Sequence, residues 1–131
     1  PARIAEALPE FFDRVLVDAP CSGEGMFRKE PVALQQHCEA LVKQCAELGA
    51  QILDCAAAAL APGGQLVYST CTVLPEENQE IIHVFLSRHP EFRRETFTLP
   101  GPVGLCDGEA TLWPQRLGTD GFYICRMRRK A

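Results

Sequence analysis

The feature that most constrains the fold is a long helical stretch between two short apolar runs. Residues 15–17 and 66–68 are apolar, with the β-branched and aromatic side chains that buried strands favour. Between them, apolar residues recur at spacings of three and four from residue 34 to residue 59, which predicts a helix of about seven turns. The order strand, helix, strand predicts two parallel neighbouring strands joined by a right-handed crossover.

Helix signals place the limits of this helix and of a second one. The first helix is expected to break near residues 37–39 and to end at the sequence APGG, where Pro62 and two glycines predict a sharp turn. Pro75 and the two glutamates that follow it predict the start of a second helix, because proline and acidic residues favour a helix N-terminus. The apolar face of this second helix lies within residues 81–86.

The C-terminal third adds two further strands to the pattern. Residues 91–99 and 121–129 have strand composition, and the glycine- and proline-rich segment between them predicts a loop, apart from a short piece around Leu112 and Trp113. The predicted fold class is therefore α/β, with the element order of half a doubly wound sheet.

Composition limits the class of protein and its compartment. The chain has 131 residues, 47% of them apolar and 23% charged, and contains neither an apolar run long enough for a membrane span nor a signal peptide pattern. Its net charge of −4 argues against an autonomous nucleic-acid clamp, and the basic cluster at residues 126–130 is interpreted as a solubilising end. Seven cysteines without a C-x-x-C pair indicate reduced thiols and a cytoplasmic location, with no metal site.

Two of these cysteines follow the two predicted parallel strands. Asp18, Pro20 and Cys21 come directly after the first strand, and Cys71 comes after the second. Ligands of open α/β sheets bind at the carboxyl ends of the strands, so these residues are expected to face one substrate. Cys71 also precedes a predicted helix N-terminus, whose partial positive charge lowers the pKa of a thiol and favours a nucleophile. The competing interpretation is that these thiols are inert packing, as most buried cysteines are.

The sequence motifs around these cysteines resemble those of a known family. "DAPCSGEGMFRK" and "YSTCTVLPEENQEII" resemble motifs IV and VI of the Sun/Nop-type RNA (cytosine-5) methyltransferases, in particular the branch similar to the bacterial rRNA small-subunit methyltransferase F, and "LWPQRLGTDGFYICRM" is similar to the family's last strand region. The resemblance implies that Cys71 is the nucleophile, that Cys21 assists product release, and that Asp18 lies by the cofactor and the target cytosine. It also implies that the cofactor is S-adenosyl-L-methionine and that the partner is RNA, in particular rRNA.

The resemblance further implies roles for the loop after the first strand and for the chain as a whole. Pro20 is expected beside the cofactor, and Arg28 and Lys29 are expected to contact RNA phosphates. Residues 1–131 correspond to the C-terminal half of a class I, Rossmann-like catalytic domain, because the glycine-rich turn and the acidic residue that hold most of the cofactor precede this segment in the family. The isolated chain is therefore expected to be inactive and to bind the cofactor weakly or not at all.

Two other functions are compatible with the sequence, and the resemblance also predicts self-association of the isolated chain. The chain could be a non-catalytic scaffold or RNA-contacting module, or a cysteine hydrolase, although no histidine has a motif that would pair it with Cys71. In the class I order, the strand over residues 12–18 would have a second neighbour in the preceding half. The resemblance therefore implies an open strand edge through which the isolated chain self-associates in a non-native way.

Overall fold

The computed structural model describes residues 1–21, 32–99, 104–112 and 121–131, with side chains described from residue 39 onward in the second range. Helices and strands alternate from residue 12 to residue 88, as the sequence pattern predicts, and five strands follow within the described residues. The elements are α1 (Ala2–Ala7), β1 (Phe12–Asp18), α2 (Val32–Ala59), β2 (Leu60–Thr70), a short 3-10 helix (Pro75–Glu77), α3 (Gln79–Arg88), β3 (Phe92–Arg94), β4 (Phe97–Leu99), β5 (Gly104–Cys106), β6 (Glu109–Leu112) and β7 (Phe122–Arg129).

A five-stranded mixed sheet forms the centre of the fold. Its strand order is β1, β2, β7, β3, with β6 also paired to β7, and β4 and β5 form a separate two-stranded sheet. β1 and β2 are parallel, with Val15 opposite Leu66 and Val17 opposite Tyr68, which confirms the predicted strand, helix, strand unit. The other strands of the main sheet pair antiparallel to β7. The fold is α/β and corresponds to part of a Rossmann-like sheet.

The limits of α2 differ from the prediction at two places. The helix runs unbroken through residues 37–39, and β2 begins at Leu60, directly after it, so the sequence APGG lies inside a strand. Leu60 is held opposite Phe12, and the register between β1 and β2 shifts after that pair. Gly63 takes a positive φ of 81°, its carbonyl accepts from Arg128 Nη1 at 2.8 Å, and the glycine thereby absorbs the irregularity within the sheet.

The C-terminal third is more finely divided than predicted. The single strand expected over residues 91–99 is two strands, β3 in the main sheet and β4 in the small one. The chain leaves β3 at Glu95, whose N–H donates to the carbonyl of Arg126 and whose carboxylate accepts from Arg126 and Arg128. The expected loop contains β5 and β6 in its described part, and the short helix α1 was also not predicted.

The core lies where α2 and α3 pack against the sheet. Leu53 of α2 and Ile82 of α3 are fully buried, and so are Leu66, Tyr123 and Met127 of the sheet. Burial of such side chains stabilises the fold by roughly 1.5 to 3 kcal/mol each, which makes this layer the main source of stability. Among the described residues, no helix is both long and apolar enough to cross a membrane.

Tyr68 connects the core to the segment that follows β2. Its hydroxyl donates to the carbonyl of Glu77 at 2.9 Å, and its side chain is 1% exposed. Burial, followed by the nearby Glu77 charge, raises the pKa of Tyr68 well above its usual range, so the phenol remains a neutral donor. The hydroxyl lies against α2 at Gly49, where a Cβ atom would approach the Tyr68 oxygen to 3.0 Å.

The ion pairs of Glu95 make stability depend on pH. Hydrogen bonding from Arg128, and the nearby charges of Arg126 and Arg128, lower the pKa of Glu95 below its ordinary value of 4.5. A carboxylate with a lowered folded-state pKa stabilises the fold above its unfolded pKa and loses this contribution as pH falls. We therefore expect Glu95→Gln to lower the free energy of unfolding modestly at pH 7 and to lower it less near pH 3, which is below the unfolded-state pKa.

Urea denaturation at the two pH values checks this expectation. Glu47→Gln is the matched control, because Glu47 is an exposed carboxylate of α2. An equal loss for Glu95→Gln at pH 7 and at pH 3 would contradict an ionic contribution.

Candidate active site

The two cysteines that follow β1 and β2 meet in the structure. Cys21 and Cys71 are joined as a disulfide, with their Cα atoms 6.3 Å apart. They come together because β1 and β2 are parallel neighbours, which places both carboxyl ends at one edge of the sheet. The expectation that all seven thiols are reduced is therefore wrong for this pair, whereas Cys45, Cys55 and two others are free.

Asp18 lies at the same edge. It is the last residue of β1 and is exposed, and its Oδ1 accepts a hydrogen bond from the Ser69 hydroxyl at 3.2 Å. The backbone N–H of Ala19 donates to the carbonyl of Ser69 at 2.8 Å, which continues the β1–β2 pairing by one residue. This pairing keeps the carboxylate beside the cysteine pair, in a position open to a ligand.

A buried hydrogen-bond network surrounds the segment that carries Cys71. Thr70 and Thr72 flank the exposed Cys71, and both are fully buried. The Thr70 hydroxyl donates to Oδ1 of Asn78 at 2.6 Å, and Nδ2 of Asn78 donates to the carbonyl of Thr72 at 3.0 Å. Asn78 and both threonines were not among the residues predicted for the site. Asn78 lies inside the helix predicted from Pro75. The available signal was that asparagine is unfavourable in a helix interior and often makes a specific hydrogen bond to nearby backbone instead.

The helix expected to begin at Pro75 is divided into two. Pro75–Glu77 forms a short 3-10 helix, and α3 begins at Gln79. Glu77, which was expected in the first turn of a helix, lies in the 3-10 helix and is 1% exposed. The division turns the chain, so that Asn78 faces back toward the end of β2.

A groove of about 580 Å³ runs along the side of β1 that has no strand partner among the described residues. Its walls are mainly apolar, and they include Ile4, Val15, Leu16 and Ile52, with Asp18 also contributing. The half-buried Pro20 follows Asp18. Asp18, at the carboxyl end of β1, can accept hydrogen bonds from the amine or hydroxyl groups of S-adenosylmethionine. The apolar walls lie along the open edge of β1, where a further strand would pair. The described residues therefore fit one side of this cofactor.

Other candidate residues fall into two groups. Arg28 and Lys29 lie outside the described residues. The basic cluster at residues 126–130 is not a free end, because most of it belongs to β7, where Arg126 and Arg128 pair with Glu95. The interpretation of this cluster as a solubilising end was therefore wrong.

His89 does not partner the cysteine pair. Its ring nitrogens lie 2.9 Å from Asp54 Oδ1 and 3.2 Å from Glu91 Oε1. Both ring nitrogens of His89 are thus engaged with carboxylates, and neither contacts a cysteine. This weakens the cysteine hydrolase interpretation, which needs a histidine beside Cys71.

Comparisons with known proteins identify the family of this chain. A family model described as 16S rRNA methyltransferase RsmB/F matches residues 2–128. The chain is 44% identical to the ribosomal RNA small subunit methyltransferase F of Cronobacter sakazakii, over 95% of the chain and 27% of that protein. It is 43% identical to the probable ribosomal RNA small subunit methyltransferase B of Bacillus subtilis, over 92% of the chain and 28% of that protein.

A solved structure shows the same likeness in three dimensions. The crystal structure of NSun6 from Pyrococcus horikoshii with SFG superposes with a TM-score of 0.71 at 26% identity, and the match covers 100% of this chain and 33% of that one. The chain thus spans about a quarter of the length of the curated relatives it matches and a third of this structure. The family match extends over nearly the whole sequence and includes both strand-end cysteines. The chain belongs to the 16S rRNA methyltransferase RsmB/F family.

Proposed function

We propose that residues 1–131 are the C-terminal half of the catalytic domain of an rRNA (cytosine-5) methyltransferase that uses a covalent cysteine adduct. The observation that carries this proposal is the meeting of Cys21 and Cys71 at the carboxyl ends of two parallel strands, with Cα atoms 6.3 Å apart. Two thiols at one point suit this chemistry, because one can add to the base and the other can help to undo the addition. The disulfide must be reduced before either thiol can act.

Cys71 is the residue we assign to the first step. It is exposed beyond the end of β2, so its thiolate can reach an RNA base. Addition of the sulfur to carbon 6 of cytosine forms a sulfur–carbon bond and moves an electron pair toward carbon 5, which becomes nucleophilic. S-adenosylmethionine, when bound, supplies an electrophilic methyl group. The carboxyl group of Asp18, when it carries a proton, can donate a hydrogen bond to ring nitrogen 3 and stabilise the negative charge that develops there.

Cys21 is the residue we assign to the last step. The proton on carbon 5 must leave, and the electron pair of that bond must return to the ring as the bond from carbon 6 to Cys71 breaks. Cys21 lies beside Cys71 and is half-buried, and as a thiolate it can accept this proton. The Cys71 thiolate is thereby regenerated and the product is released.

The RNA must present an unstacked base to these thiols. A base inside a helical stack shields carbon 6, so the protein requires a single-stranded target or must flip the base out. We propose that Arg28 and Lys29 hold the RNA through its phosphates. The proposed substrate, rRNA, and the sequence features together favour a cytoplasmic location.

The cofactor is expected to need more residues than this chain provides. Asp18 and Pro20 can hold one side of S-adenosylmethionine, of which the SFG bound to the Pyrococcus horikoshii protein is an analogue. Affinity for a ligand of this size depends on several preorganised contacts made together. We therefore expect the isolated chain to bind S-adenosylmethionine weakly or not at all, as measured by titration calorimetry of the reduced protein. Micromolar binding would contradict the proposed division of the domain.

Nucleoside analysis tests the proposed function itself. A protein that contains this chain is incubated with rRNA and S-adenosylmethionine labelled in the methyl group, and the RNA is then digested to nucleosides. Mass spectrometry should find the label in 5-methylcytidine. Label in another nucleoside would disprove the cytosine-5 assignment, and RNA binding without any transfer would favour the alternative of a non-catalytic RNA-contacting module.

A further inference from the structure

We propose that Asn78 is a positioning residue for Cys71 and acts through the two threonines on either side of it. We call Thr70, Thr72 and Asn78 the Asn78 clamp. The inference deepens the proposed function, on which it rests, because it states what holds the attacking thiol in place. It goes beyond that function by assigning a role to residues that touch neither the base nor the cofactor.

The hydrogen bonds of the clamp fix the orientation of the Asn78 side-chain amide. The carbonyl of Thr72 can only accept, so the Asn78 group 3.0 Å from it must be the amide nitrogen. This orientation turns Oδ1 toward the Thr70 hydroxyl, which donates to it at 2.6 Å. The Thr70 hydroxyl has one proton to donate. Oδ1 of Asn78 is the nearer acceptor, and the Thr72 carbonyl lies farther away, at 3.3 Å. One amide thus joins the residues before and after Cys71.

Asn78 is itself anchored to the core. It occupies the N-cap position of α3, yet its side chain makes no capping hydrogen bond to that helix. Its backbone carbonyl accepts from the N–H of Ile82 at 3.1 Å, and Ile82 is fully buried. An N-cap asparagine normally bonds its own helix, so this side chain serves the end of β2 instead. The position of α3 therefore fixes the position of the clamp.

The clamp makes Cys71 an exposed residue on a fixed backbone. Thr70, Thr72 and Asn78 are each 0% exposed, so breaking their hydrogen bonds would leave buried polar groups without partners. Oγ1 of Thr72 also accepts from the N–H of Leu74 at 3.2 Å, which extends the constraint beyond the cysteine. Rotation of the backbone at Cys71 is thus resisted from both sides, and the sulfur is held toward Cys21. A displacement of about 1 Å at a reacting atom can reduce a rate on the order of 100-fold.

Variants of the clamp separate positioning from simple stability. Thr70→Val keeps the shape of the side chain and removes the hydroxyl, and Thr70→Ser restores it. Asn78→Ser keeps a good N-cap residue for α3 but is too short to reach both partners. Tyr68→Phe is the matched control, because it removes an equally buried hydrogen bond, to Glu77, without touching a residue next to Cys71.

The first experiment measures the Cys21–Cys71 pairing in this chain and does not depend on catalysis. The reduced protein is equilibrated with glutathione disulfide and glutathione. The two thiols lose two protons and two electrons, a bond forms between Cys21 and Cys71, and glutathione disulfide breaks into two thiols. Thr70→Val and Asn78→Ser should each lower the equilibrium constant about tenfold, and Thr70→Ser and Tyr68→Phe should change it by less than about twofold.

The second experiment measures methyl transfer by a protein that contains the chain. Thr70→Val and Asn78→Ser should lower kcat on the order of 100-fold with little change in KM for RNA, and Thr70→Ser should restore kcat. An unchanged glutathione equilibrium in folded Thr70→Val and Asn78→Ser, or an equal change in Tyr68→Phe, would overturn the inference. If the unsubstituted protein forms no 5-methylcytidine, the proposed function fails, and the glutathione equilibrium still decides the role of the clamp.

Discussion

Cys71→Ala is expected to abolish methyl transfer, whereas Cys21→Ala is expected to leave the protein covalently joined to its RNA. Without the Cys71 sulfur, carbon 5 of cytosine is never activated, and the rate should fall by several orders of magnitude. Without Cys21, the adduct should form but break down slowly, because the elimination step loses its helper. The two cysteines lie side by side, so opposite outcomes would separate their roles although their positions are nearly the same.

Denaturing gels of the protein incubated with RNA and S-adenosylmethionine measure this outcome. Only Cys21→Ala should give a stable, RNA-shifted band. Cys45→Ala is the control, because Cys45 is a free thiol of α2 that does not line the groove beside β1, and the substitution should leave both transfer and band unchanged. A shifted band for Cys71→Ala but not for Cys21→Ala would reverse the assignment of nucleophile and helper.

Self-association of the isolated chain is the second large effect expected. Among the described residues, β1 pairs only with β2, so the other side of β1 has free backbone groups. Leu16 and Phe11 on and beside this strand are 67% and 62% exposed, and burial of such apolar area contributes roughly 25 cal/mol per Å². Open apolar edges pair readily with other chains. We therefore predict a dimer or larger species through β1, as a non-native contact that a protein with a complete sheet would not make.

Sedimentation at increasing protein concentration measures this association. Val15→Lys and Leu16→Lys should each weaken it, and Leu16→Lys is the cleaner change, because Val15 is partly buried against the core. Val84→Lys is the matched control, since Val84 is 50% exposed on α3. A strictly monomeric chain at high concentration would refute the prediction.

The sequence predicted the parts of the fold that depend on periodicity and order. The apolar spacing of α2 and the two flanking runs were sufficient to predict a parallel β1–β2 pair, and hence the meeting of Cys21 and Cys71. This succeeded because burial and crossover handedness act over the whole unit and tolerate local exceptions. The family resemblance rested on sequence motifs that contain the same two cysteines, and the match of the family model confirmed it.

The errors arose where tertiary contacts overrode local propensity. APGG reads as a turn, yet the pairing of Leu60 with Phe12 and the hydrogen bond from Arg128 to Gly63 keep it in β2. Glu95 ends β3 through arginines more than 30 residues later in the chain, a contact that local patterns do not reveal. The Asn78 clamp was not predicted for a related reason, because Asn78 falls inside the helix predicted from Pro75, whereas its side chain bonds residues at the end of the preceding strand.

The contact between Gly49 and Tyr68 restricts how this sequence can change through evolution. Alanine in a helix interior is more stabilising than glycine, by up to about 1 kcal/mol of free energy. Position 49 of α2 should therefore be replaced by alanine during evolution unless another contact opposes it. A methyl group there would crowd the Tyr68 hydroxyl that holds the Glu77 carbonyl. Lineages that keep the tyrosine are thus bound to keep the glycine, and those that lose one are free to replace the other. The two positions should covary among relatives although they belong to different elements of the fold.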